Sequence, residues 1–249
     1  MSSYFSNFKK VLYLFGDEIS PVAFQNLSKY VPLMDEIADE ISAYIEYEIS
    51  DFERPDSLSH RLYGNSEYDW TFFLMNANIR ERGWPLSKQD LLNAATKIFY
   101  PDWTVSLGLE TADSAALFAN SYAAGSTVKL GNYDMIVKSK NLQIGTITLQ
   151  SPNYSASYDS DFTTQGVLKE SSTDINIKMV TVKKEIFGTR HYVNDSDNEI
   201  DFWFTSEIPI SVSNLEWLEQ ENEQLKKIRV IRKDTIENVV GQFKSLTGL

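Results

Sequence analysis

Apolar residues recur along the chain with two different spacings, and the change from one to the other divides it. Near the start, Leu33, Ile37, Ile41 and Ile45 return every fourth residue while Asp35, Glu36, Asp39 and Glu40 fall elsewhere, which predicts an amphipathic helix with an acidic outer face. Upstream, Tyr4, Phe5, Phe8, Tyr13 and Phe15 crowd together without a helical stripe. Such a segment is too apolar for a free tail and is expected to lie against a core or a neighbouring protein. Ile45–Ser50 either prolongs the helix or opens as a short strand.

The stretch RPDSLSHRLYGNSEYDWTFFLMNANI, 54–79, reads as two short helices joined by a tight turn. Pro55 and Asp56 suit a helix start, Leu58 and Leu62 share a face, and Gly64 suits a left-handed C-terminal cap. Ser66 is the expected cap of the second helix, whose buried stripe would be Trp70, Phe73 and Leu74 before Asn76 to Asn78 break it. A further helix is expected over 86–99 with Ser87 as its cap, stopped by Tyr100-Pro101. Thr104 to Leu107 alternates like a short strand.

From 108 to 209 glycine, serine, threonine and asparagine rise, and the runs YDMIVKS, LQIGTITLQ, DINIKMVTVKKEI and EIDFWFTSEI alternate, which predicts a β-rich region. Within it 151–166 is polar and is expected to be a loop. The C-terminal part returns to helical spacing. Leu215, Leu218 and Leu225 share a face, KIRVIRK alternates as a strand, and Ile236, Val239, Val240, Phe243 and Leu246 form a clean final stripe, as suited to docking on a partner as on the chain itself.

Charge narrows the partners. The 249 residues carry a formal net charge of -12 with a pI near 4.7, which disfavours nucleic acid and anionic membranes. There is no cysteine, so no disulfide or thiolate metal site can form. The apolar run Val11 to Phe15 is too short for a signal-peptide core, and no stretch reaches the length of a membrane span.

Catalytic chemistry finds little footing. Only His60 and His191 are present, and no nucleophile elbow, GxxxxGK[ST] loop or GxGxxG turn occurs. Asp51, Glu53, Asp56, Glu67 and Asp69 lie near the aromatic block, but such clustering is expected by chance in so acidic a chain. The aromatic residues could form a sugar platform; the helical spacing assigns Trp70 and Phe73 to a core instead. Lys226, Lys227, Arg229, Arg232 and Lys233 form the one basic concentration, suited equally to a solvated strand edge and to docking on an acidic neighbour.

Two resemblances then emerge. The residues Asp56, Ser57, Leu58, Tyr63, Gly64, Asn65, Trp70 and Asn76 resemble the motif of a LysM module, a β-α-α-β fold, with YIEYEIS and IFYPDWTVSL similar to its paired strands. This block, a Gly-Trp-Pro-Leu-Ser turn at Gly83 to Ser87, and the C-terminal stretch LEQENEQLKKIRVIRKDTIENVVGQFKSL, 218–246, with its Glu-Asn-Glu-x-Leu-Lys-x-Ile segment from Glu221 to Ile228, together resemble the baseplate wedge protein fifty-three family of T-even-type (Myoviridae-like) contractile-tail phages. That resemblance implies a non-enzymatic virion subunit with no cofactor or metal. It implies one copy per wedge and six per baseplate, located in the tail baseplate and assembled in the host cytoplasm. The implied partners are other wedge subunits, namely the wedge scaffold proteins and the sheath-like initiator protein. Lengthening of the link after the second helix, by IRERGWPLSKQDLLNAATK, speaks against peptidoglycan recognition, the rival reading.

The expectation is therefore an α+β protein in four parts: an aromatic arm and helix (1–43), a LysM-like module (44–107), a β-rich insertion (108–209) and a C-terminal helix-strand-helix arm (210–249). The module core would be Leu58, Leu62, Tyr63, Gly64, Trp70, Phe73, Leu74 and Asn76. Partner contacts would come from Tyr4, Phe5, Phe8, Lys226, Lys227, Arg229, Arg232, Val239 and Phe243, on arms partly disordered before assembly.

Overall fold

In the computed structural model, which describes residues 8–13, 21–25, 41–107, 112–152, 165–170, 178–203, 205 and 208–247, the protein is α+β and separates into two units. The division does not follow the four expected parts. One unit comprises 1–88 with 221–249, and the other is 89–220.

In the first unit, β1 (Lys10–Tyr13) and β2 (Val22–Gln25) form an antiparallel pair. A 3-10 turn, Ile41–Ala43, leads into β3 (Tyr44–Glu48). The fourfold spacing that predicts helix through Ile45 thus gives way to a strand, and Ile45 is exposed. The part of that predicted helix carrying Leu33 and Ile37 lies outside the described residues. Next come α1 (Pro55–Tyr63), a 3-10 turn (Ser66–Tyr68), α2 (Trp70–Met75) and α3 (Ala77–Arg82). The helix α6 (Asn214–Lys226), which belongs to this unit from Glu221 onward, runs into β13 (Lys227–Ile231), and α7 (Ile236–Thr247) follows.

The partner of β3 corrects the sequence reading. Tyr44–Glu48 pairs antiparallel with β13, Ile45 opposite Val230 and Tyr47 opposite Ile228, and not with 102–106. Both candidate partners alternate, and alternation does not specify which one pairs. Two apolar clusters hold this unit. Ile49, Leu58, Phe72, Ile79, Leu225, Ile228 and Val230 form one, and Phe8, Trp70, Met75, Ile231, Ile236, Val239, Val240 and Phe243 form the other.

The second unit contains α4 (Lys88–Phe99) from Gln89 onward and a closed six-stranded antiparallel barrel. Its strands are β4 (Asp102–Ser106), β5 (Thr127–Leu130), β6 (Tyr133–Asn141), β7 (Thr146–Gln150), β8 (Gln165–Glu170) and β9 (Lys178–Lys184), in the order β4-β7-β6-β5-β8-β9. Alternate residues point inward: Trp103 and Val105, Val128 and Leu130, Met135 and Val137, Ile147 and Leu149. A helix the alternation does not foretell, α5 (Ala112–Asn120), adds Phe118 and Ala119 to this interior, with Tyr122 just beyond it. It lies so close to the β6–β7 turn that a Cβ on Gly145 would fall 2.3 Å from that of Ala115. Outside the barrel a small sheet is formed by β10 (Thr189–Val193), β11 (Glu199–Ile200) and β12 (Ile210–Ser213). Among the described residues of the run EIDFWFTSEI, only Glu199–Ile200 are strand, and Phe202 and Trp203 form a turn. Most of the expected loop 151–166 lies outside the described residues.

Candidate functional site

The block that singles itself out in the sequence folds as a joint between two helices. Pro55 occupies the first turn of α1, where the missing N–H costs nothing, and Gly64 closes the helix at φ 77° with its N–H donating to His60 O at 2.8 Å. The next cap is Asn65, not Ser66. Its side chain accepts from Glu67 N at 2.9 Å, because an Asx residue in extended backbone reaches the amide two residues on. On α2 the deeply buried residues are Trp70, Phe72 and Met75, whereas Phe73 and Leu74 are half-buried and pack at the margins of the two clusters. The helix is sandwiched between those clusters, so two faces are covered rather than the single stripe the spacing suggests.

Tyr63 and Asn76 show what this joint holds. In β13 the bonds Ile49 N to Lys226 O and Arg232 N to Ala43 O fix the alternation, so Ile228 and Val230 bond β3 while Arg229 and Ile231 turn their amides away. Asn76 fills the space opposite Arg229. Its Oδ1 accepts from Arg229 N at 2.7 Å and its Nδ2 donates to Arg229 O at 2.8 Å and to Phe72 O at 2.8 Å. Tyr63 OH donates to Ile231 O at 3.0 Å while its ring stacks on Phe72 at 5.9 Å. Two side chains thereby stand in for a third strand. Burial pushes the Tyr63 phenol well above its ordinary range, opposed by its hydrogen bonds with Thr71 and Ile231, so it is a neutral donor at any physiological pH.

The Gly-Trp-Pro-Leu turn is held back onto the same unit. Gly83 has φ 93°, Trp84 Nε1 donates to Glu53 O at 2.7 Å, and the indole packs on Phe72 and Phe73 at 6.0 and 5.8 Å. Asn222 repeats the device of Asn76. Its Oδ1 accepts from Leu86 N at 2.8 Å and its Nδ2 donates to Leu86 O at 3.0 Å, beside an Arg82–Glu221 ion pair. The chain leaves this unit just after Leu86 and returns just before Asn222, so the ends of the inserted unit meet.

Several expected partner contacts are internal. Phe8 is 4% exposed and meets Phe243 edge-on at 6.0 Å; Phe243 itself is 1% exposed and lies 4.7 Å from Trp70. Val239 is buried in the same cluster. The final stripe therefore docks on its own chain, because β13 delivers α7 directly onto the Trp70 face. Tyr4 and Phe5 lie outside the described residues. Lys226 is ion-paired with Asp51 at 2.8 Å and Glu223 at 2.7 Å, and these carboxylates raise its pKa. Lys227, Arg229 and Arg232 are exposed, yet Lys227 lies opposite Glu48 and Arg229 opposite Glu46, with the Arg229 guanidinium 4.9 Å from the Tyr44 ring centre. Lys227, Arg229, Glu46 and Glu48 line a groove of about 740 Å³ with Met75 to Asn78. Its charge is mixed and not basic.

The 49–54 loop carries contacts that the spacing does not predict. Tyr47 OH donates to Glu53 Oε2 at 2.9 Å, and Arg61 on α1 bonds both residues. Burial, with the Glu53 contact, raises the Tyr47 pKa. At the loop's tip Phe52 is 79% exposed and has φ 64°, an uncommon conformation for a residue with a bulky side chain. Among the described residues no group of three His, Asp or Glu is placed to hold a metal ion. His60 is exposed on α1 of the first unit, and His191 is half-buried on β10 of the second. Nor, among the described residues, is any helix long and apolar enough to cross a membrane. No protein-family model matches the sequence, and no curated protein does.

Proposed function

We propose that this protein is a structural subunit of a contractile phage tail, a baseplate wedge component that clamps adjacent wedges through protein contacts. One observation carries the reading. The two stretches that resemble the wedge family are about 140 residues apart, yet they are bonded to each other at four successive points: Tyr63 to Ile231, Asn76 to Arg229, Arg82 to Glu221 and Leu86 to Asn222. A resemblance falling on residues that fold as one body has a physical basis that a scattered one lacks. In this reading the first unit is a LysM-like module whose second strand arrives from the C-terminal segment, with 89–220 inserted between its second helix and that strand.

Phe52 is the contact we assign to this role. A large apolar ring held in water on a strained backbone does nothing for the isolated chain, and such strain persists where a bound state uses it. Phe52→Gly is expected to keep or raise the unfolding midpoint of the isolated protein while reducing its incorporation into baseplates. Cross-linking mass spectrometry on intact particles tests the reading as a whole. Cross-links from the 49–54 loop to other wedge subunits are expected, and absence of the chain from baseplates would rule the role out.

The rival, a peptidoglycan-binding module of a tail-associated wall-degrading complex, is favoured by the 740 Å³ groove. It predicts saturable binding to purified peptidoglycan that is lost on substituting the exposed groove residues Lys227 and Arg229. The wedge reading predicts none.

A further inference from the structure

The inserted unit carries a second cleft that the wedge reading does not use. It has a volume of about 750 Å³ and lies between the outer wall of the barrel and the small β10–β12 sheet. Three local features build it. A Cβ on Gly188 would fall 2.2 Å from Thr104 Oγ1 and 3.0 Å from Glu185 O, so only glycine allows the 185–188 turn to settle on the barrel. Asn214 clamps that turn, its N–H donating to Gly188 O at 3.0 Å and its Nδ2 to Glu185 O at 2.7 Å. The Glu185 carboxylate is thereby set on the cleft floor, accepting from the Thr104 hydroxyl, with Thr148 also in hydrogen-bond contact.

On the opposite wall the β10–β12 register shifts between Thr189 and His191, placing Arg190 at a bulge. A bulge re-aims the side chain it carries. Here the guanidinium lies over Trp217, 3.7 Å from the ring centre. That contact leaves the hydrogen-bonding edges of Arg190 unpartnered among the described residues.

The lining decides the ligand class. Thr, Ser, Asn and Gln side chains make up most of it, so it offers donors and acceptors together. The cations Lys140 and Arg190 are balanced by Glu185 and Glu199, and Lys140 also donates to Asn120 at 3.0 Å. An ionic ligand gains no net attraction from such a site, and an apolar one would strip water from groups it cannot bond. A polyhydroxylated neutral molecule satisfies both demands, and the volume suits more than one sugar ring. We infer that this cleft binds a neutral oligosaccharide, with the Glu185 carboxylate and Thr148 hydroxyl on the floor and the Arg190 guanidinium holding sugar hydroxyls from the wall.

The test uses the full chain with chitotetraose, cellotetraose, maltotetraose and mannotetraose, read by saturation-transfer NMR and calorimetry, and with tetragalacturonate as the charged control. At least one neutral sugar is expected to bind one-to-one, tenfold or more weakly in Arg190→Ala and in Thr148→Val. Arg190 is exposed, so its variant keeps the fold, verified by near-ultraviolet circular dichroism. Arg229→Ala, in the groove of the first unit, is expected to leave binding unchanged. The inference is overturned if no neutral sugar binds or if tetragalacturonate binds tightest. Insensitivity to Arg190→Ala, or loss on Arg229→Ala, overturns it equally. Particle cross-links report on the wedge role separately, so either idea can fail alone.

Discussion

Asn76 makes three hydrogen bonds from one amide, two of them to the backbone of a residue 153 positions away. Removing it deletes the bonds to the N–H and C=O of Arg229 on the far edge of β13. Asn76→Ala is therefore expected to cost about 2–4 kcal/mol in urea unfolding, since each stranded polar group carries a penalty of about 1–3 kcal/mol. Asn76→Asp keeps the acceptor for Arg229 N but loses both donated bonds, and is expected to be destabilised as well. Glu185 sets a pH dependence. Burial, reinforced by Asp102, raises its folded pKa despite hydrogen bonds from Thr104 and Asn214. The stability it contributes is thus fully present below the ordinary carboxyl value of 4.5 and is lost as pH rises through the raised one. Unfolding midpoints from pH 4 to 8 are expected to fall less steeply in Glu185→Gln than in the parent. Of these residues, Asn76 is marked in the sequence by motif resemblance alone. Glu185 has no mark, because its burial depends on how closely Gly188 lets its turn settle on the barrel and on Asn214, 29 positions on.

At the scale of elements, α7 is the instructive case. Its stripe is plain in the sequence, and periodicity identifies an apolar face without saying what covers it. The covering surface is Trp70, Met75 and Phe8 of the same chain. Phe243→Ala is expected to cost about 3–5 kcal/mol, the range for deleting a fully buried ring. Amide exchange in α7 is expected to be as slow as in β13, where a partner-dependent arm would exchange fast. The helices of the 54–79 block are legible because capping and spacing are local. The partner of β3 is not, because strand pairing is set by which edge meets which, and here the Asn76 amide and the Tyr63 phenol hold the far edge of β13. The barrel strands are legible singly through alternation, whereas closure and the contribution of α5 are not.

At the scale of the molecule, the contacts between Leu86 and Asn222 bring both ends of the inserted unit within hydrogen-bond reach. Chain ends this close are what insertion of one folded body into another requires. Replacing 88–220 by a linker of about six Gly and Ser residues is expected to leave the first unit folded, since a flexible chain of that length spans roughly 12–15 Å. Thermal unfolding of the shortened protein, with near-ultraviolet circular dichroism of Trp70 and Trp84, checks this. Retention of a cooperative transition is the expected result.

The pairing of β3 with β13 also sets a timetable. On the ribosome β3, α1 and α2 emerge early with neither their partner strand nor the helix that covers Trp70, while all of 89–220 is made before residue 227. The later-made barrel can therefore complete itself first, and the earlier-made module must wait for its last strand, reversing the usual N-to-C order in which domains mature during synthesis.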